Sequence, residues 1–154
     1  MEVDMKARVV VLTPVLVAAA YADGDQLGVA LPLANALDEP SDTATILSVT
    51  VLDKAQQQTD FDILFFNAAP ATGANHAPAA ISGAEMAAKF LGSVKIRATD
   101  YADLAAVSYA SVIGLGLMLQ GHQSKTLYAV LVCRGAPTFA STSDLVVSVG
   151  IAQD

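Results

Sequence analysis

The chain has no tryptophan, one cysteine, two histidines and only eight lysines and arginines. Each shortage excludes something. A lone Cys133 rules out an internal disulfide framework and any site built from several thiolates. Two histidines, His76 and His122, fall short of the ligand set that jelly-roll metalloenzymes gather around one ion from several imidazoles and a carboxylate. The basic residues are scattered through a chain of net charge −7 and pI near 4.5. That speaks against a nucleic-acid partner, because neutralising phosphates takes clustered Lys and Arg. No apolar run reaches the roughly 20 residues that a bilayer-spanning helix needs, so no membrane partner is expected. Lys6 and Arg8 precede an apolar stretch ending in Ala18-Ala19-Ala20-Tyr21-Ala22, superficially a secretory leader. Glu2 and Asp4 offset the positive charge and Pro14 interrupts the run, so the stretch is expected to belong to the fold.

What the chain has in abundance is apolar surface. Hydrophobic residues make up 54% of 154 positions and charged residues only 15%, with a mean hydropathy of +0.51. A chain of this length is expected to form one domain, residues 1–154, that buries about two thirds of its unfolded surface. There is too little polar surface to cover the outside, which points to an oligomer or a docked subunit.

The apolar residues recur with a period of two, the signature of half-buried strands. The stretch Ile46 to Phe66 carries it best. Leu47, Val49 and Val51 share one side of an extended chain, as do Phe61, Ile63 and Phe65. Asp53 to Asp60 between them predicts a turn joining an antiparallel pair. Further strands are predicted at Arg8–Thr13, at Leu27–Leu33 with Pro32 marking an edge, and at Val94–Arg97. Ile113, Leu115, Leu117 and Leu119 form another, with Gly114 and Gly116 baring the opposite face for some close approach. Thr126–Arg134 is apolar on both sides, which predicts a central strand with Leu131 buried. Leu145, Val147, Val149 and Ile151 form the last.

Ala22–Asp25, Asn35–Asp42, Asn67–Ala80 and Ser141–Asp144 read as turns or loops. Asp100–Ser108 fits helix or loop equally. Ser82 and Glu85 form a capping box for a helix of about two turns, with Met86 and Phe90 on one face and Gly92 as its stop. The sum is all-β: an antiparallel β-sandwich of about eight strands with one short helix, jelly-roll-like, although an immunoglobulin-like order also fits.

The search for chemistry returns no catalytic, cofactor-binding or metal-ligating residue. The Gly-x-Ser-x-Gly elbow, HExxH and the Gly-rich phosphate loop ending in Lys are all missing. Gly114-Leu115-Gly116 lies within a strand pattern, not at a strand-to-helix turn. Asp60 and Asp62 share one side of a strand, yet no further oxygen ligand lies near them in sequence, so they read as solvated. Asp23 and Asp25 flank a Gly24 that simply permits a turn. His76 and His122 read as solvated loop histidines, and Cys133 as a buried, inert thiol.

The run LYAVLVCRGAPTFASTSDLVVSVGIAQD from Leu127 to Asp154, with LSVTVLDK from Leu47, DILFF from Asp62 and the segment Tyr21–Gly28, resembles small structural proteins of tailed bacteriophages. The resemblance implies a virion protein without catalysis, of the capsid decoration or cement type. It would sit on the exterior of the assembled head, bind the major capsid protein and form dimers or trimers. The alternatives are another virion component of the neck, tail or head fibre, and a carbohydrate-binding jelly-roll module. The last is disfavoured by the scarcity of aromatic platforms.

Overall fold

The computed structural model describes residues 6–154. The predicted sandwich is there, with nine strands and one α-helix among the described residues. In chain order the elements are β1 (Lys6–Leu12), β2 (Leu31–Leu33), β3 (Thr43–Asp53), β4 (Phe61–Phe66), α1 (Gly83–Lys89), β5 (Phe90–Ile96), β6 (Tyr101–Asp103), β7 (Ser108–Gln120), β8 (Leu127–Cys133) and β9 (Leu145–Gln153). One sheet has the order β1-β9-β3-β7-β6 and the other β2-β8-β4-β5, every pairing antiparallel. Glu2 and Asp4, read above as offsetting a leader's charge, lie outside the described residues.

Set β6 aside and the pairings follow a rule. β1 pairs with β9, β2 with β8, β3 with β7 and β4 with β5. First meets last and the rest nest inside, which is one long hairpin rolled into two sheets. This is the jelly-roll connection. The side chains between the sheets form the main core, including Ile46, Val49, Val51, Phe61, Ile63, Phe65, Leu131, Val147, Val149 and Ile151, all buried. β8 is central in its sheet, as its two-sided apolar sequence required, and Leu131 is fully buried.

Several expectations need correction. β3 and β4 are strands but not a pair, since they lie in different sheets. Both are apolar on the inward side, so each supplies one layer of the core, and residues 54–60 cross between the layers. The Asp53 carboxylate anchors that crossing, accepting from the backbone N–H groups of Ala55 (3.0 Å) and Gln57 (3.1 Å) and from the Thr59 hydroxyl (3.1 Å). The strand expected from Leu27 begins only at Leu31, because Gly28 takes a positive φ of 82° that extended chain cannot accommodate. Pro32 does lie on an edge strand. The ambiguous Asp100–Ser108 contains β6, entered by a single 3-10 turn over Ala98–Asp100.

Helix α1 starts as predicted, with the Ser82 hydroxyl accepting from the Glu85 N–H at 3.1 Å. Its other features differ. Glu85 does not reach back to the cap; it accepts from the Ala71 N–H at 3.0 Å and pairs with Lys89 at 2.7 Å, tying the preceding loop to the helix. Gly92 is no stop, for the chain passes straight into β5 at Phe90. There Gly92 makes room for Leu117, whose Cδ1 lies 2.9 Å from where a Cβ would stand.

Candidate interaction surface

The two sheets bury their inner faces against each other, and their outer faces are treated differently. On the four-stranded sheet, Phe66, Val130 and Val132 point outward and would be wet. They are covered by the chain's own loop and helix through Ala79, Ile81, Met86 and Phe90, with the Phe66 and Phe90 rings edge to face at 5.6 Å. Asn75 holds the loop down. Its Oδ1 accepts from the Gly28 N–H (2.9 Å) and the Tyr21 hydroxyl (3.0 Å), and its Nδ2 donates to the Val15 carbonyl (2.8 Å).

Nothing among the described residues covers the outer face of the five-stranded sheet. Register defines that face, because paired residues in antiparallel strands point the same way. Val9 sits beside Gly150, Gly150 beside Ser48, and Ser48 beside Ile113. The next row runs Val11, Ser148, Thr50, Ser111, and the one after it Val146, Leu52, Tyr109, Ala102. No outward position of these strands carries a charge, although solvated sheet faces ordinarily do. Ile113 is 78% exposed, Val9 68%, Met118 66% and Val11 59%. A groove of about 260 Å³ lies between β1 and β3, lined by Ala7, Arg8, Val9, Leu47, Ser48, Gly150 and Ile151.

A β-bulge shapes this face. The β3–β7 register jumps from Ile46 opposite Leu117 to Ser48 opposite Ile113, leaving Leu47 unpaired on one strand and Gly114-Leu115-Gly116 on the other. Leu47 is thereby turned outward, contrary to its expected place beside Val49 and Val51, and Ile46 is buried in its stead. Ile113 likewise faces out while Leu119 is buried and Leu115 and Leu117 are half-buried. The two glycines serve the bulge through positive φ angles of 70° and 63°, and no atom lies close to where their side chains would project. The expected close approach is absent there.

The candidate chemical residues are dispersed. Asp60 accepts from the Ala98 N–H. Asp62 is not solvated; it is buried and held by Arg97 Nη2 and Arg134 Nε, each at 2.9 Å. Burial pushes its carboxyl up, but the hydrogen bonds from Arg134 and Arg97 outweigh that and hold it below the ordinary carboxylate range. Asp23 lies 3.7 Å from Arg134, and the Asp25 carboxylate closes its own turn on the Ala22 N–H at 2.9 Å. Burial raises the Asp53 carboxyl, its hydrogen bonds only partly offsetting the effect.

His122 is exposed as expected, but His76 is half-buried, its Nε2 bonded to the Ala20 carbonyl at 2.6 Å and its ring against Tyr21. Cys133 is buried, its thiol donating to the Gly135 carbonyl at 3.3 Å and pushed up by burial. A second groove, of about 230 Å³, lies among Gln57, Thr59, Asp60, Ala98, Gly135 and Pro137. Its Asp60 and Gln57 side chains are spent on the backbone N–H groups of Ala98 and Thr138. Among the described residues no group of three or more His, Cys, Asp or Glu could hold a metal ion, and no helix is long and apolar enough to cross a membrane.

The bare face was legible in part. Arg8–Thr13 is apolar at every position from Val9 to Leu12, which signals two apolar sides rather than one. The phase change at Leu47 had no such signal, because it depends on pairing with β7. No protein family model matches the chain, and no curated protein matches it.

Proposed function

We propose that this chain is a bacteriophage virion structural protein, a capsid decoration or cement protein that binds the assembled head and stabilises it. The observation that carries the reading is the uncharged, uncovered outer face of the five-stranded sheet. Apolar area on that scale is satisfied by other polypeptide, and a protein set in many copies on a shell meets sibling copies as well as the shell at every lattice position. The likeness of Leu127–Asp154 and Leu47–Lys54 to tailed-phage structural proteins supports the same role. Contacts repeated over a lattice add through multivalency, so modest individual affinities suffice to hold a shell together against internal pressure. Heads carrying the protein should survive osmotic shock and heating that break bare heads. Equal survival of bare and decorated heads, or failure of the protein to bind them, would overturn the proposal.

A further inference from the structure

The uncovered face is asymmetric about its central strand in a way that suits one particular occupant. β3 lies in the middle of the five strands, with β7 on one side and β9 on the other. β7 presents the large outward residues Tyr109, Ile113 and Met118, and β9 the smaller Val146, Gly150 and Ala152. Each large residue shares a row with a smaller one. Ile113 and Gly150 both pair with Ser48, Met118 and Ala152 with Thr45, and Tyr109 and Val146 with Leu52.

We infer that the occupant is a second copy of this chain, docked face to face about a two-fold axis running along β3. Such an axis carries β7 of one copy over β9 of the other. Ile113 then enters the gap above Gly150, Met118 lies over Ala152, Tyr109 over Val146 and Ser111 over Ser148, each contact made twice. Gly150 has no side chain and borders the groove with Leu47 and Ser48; the Ser48 hydroxyl leans to 2.5 Å from where a Gly150 Cβ would stand, so Ile113 enters the groove beside that hydroxyl.

Charge selects the same partner. Two copies that each carry −7 repel across an acidic surface, whereas this face brings no carboxylate into the contact, and the charge at its groove is that of Arg8, exposed on the edge strand β1. Size allows it as well. Five strands about 4.8 Å apart and four rows about 7 Å apart cover roughly 500 Å² per copy, so the pair buries about 1,000 Å², the lower bound for a specific interface. Association is therefore expected to depend on concentration in the micromolar range.

Sedimentation equilibrium of the whole chain tests the pairing. The expected result is a mass rising from 15.8 kDa towards twice that value with concentration. Ile113→Glu, which sets two carboxylates against apolar holes, should weaken association at least about 100-fold. Val29→Glu, at an exposed valine outside that sheet, should leave association unchanged.

The axis makes a further demand. Thr50, on β3, must face its own counterpart across the sheet-to-sheet gap. Copies of Thr50→Cys should crosslink with a bismaleimide of about 10 Å reach, and copies of Val29→Cys should not. A monomer at every concentration, an association indifferent to Ile113→Glu, or absence of the Thr50→Cys crosslink would each overturn the inference. The pairing rests on the face alone, so a chain that dimerises but ignores capsids would refute the capsid role and leave the dimer standing.

Discussion

The two outer sheet faces solve the same problem in opposite ways. Over β8 and β4 the chain spends residues 67–90 on a lid, and Phe66, Val130 and Val132 become a second small core. Over β1, β9, β3 and β7 none of the described residues forms a cover, and valine, isoleucine and methionine stay in solvent. The difference is instructive because the exposed face is apolar but not merely neglected. Ser48, Thr50, Ser111, Ser148 and Gly150 keep part of it low, while Tyr109, Ile113 and Met118 stand out along β7 and Val9 and Val11 along β1. A face covered within the chain contributes to folding; a face left open contributes only when a partner arrives.

Substitutions can break or sharpen that contrast. The largest effect is expected under the lid, where Phe66→Ala should cost about 3–5 kcal/mol in denaturant unfolding, as for a buried aromatic residue. A small loss there would mean the lid is loosely held. Leu131→Ala, between the sheets, should cost about 2–5 kcal/mol and sets the scale for a conventional core position.

Asp62→Asn should cost about 2 kcal/mol at neutral pH, since it removes charge-assisted hydrogen bonds to two half-exposed arginines. Because the folded carboxyl titrates below its ordinary value of 3.8, its contribution is complete above that pH and lost as pH falls through the folded value. The acid limb of the stability curve should therefore flatten in the variant; an unchanged limb would show that other carboxylates govern acid unfolding. Smallest of all, Ile113→Ala should change unfolding stability by less than about 0.5 kcal/mol at concentrations where the chain is monomeric. A larger loss would show that the open face is part of the fold's own stability.

Much of the architecture could be read from the residues, and the reason is local. Alternation at Val147, Val149 and Ile151, the two-sided run Leu127–Cys133, Pro32 on an edge and Ser82 at a helix start all depend on a few neighbouring positions. What depends on distant pairing was not legible. The Asp53–Asp60 segment has the composition of a hairpin turn, and only the topology reveals that it crosses between sheets. Asp62 looked solvated because its two arginines are 35 and 72 residues away. The open face was half visible in Val9 and Val11, but its membership across β9, β3 and β7 follows from register, which turns Leu47 and Ile113 outward.

The position of β9 carries a consequence for synthesis. Residues 145–153 lie between β1 and β3, so the five-stranded sheet has a gap through its interior until that segment has left the ribosome. Before then β1 has no neighbour in its sheet, and the nascent polypeptide presents unpaired strand edges that invite aggregation. Closure joins Lys6 to Gln153, the most distant pairing among the described residues, and is expected to be the slow event of folding.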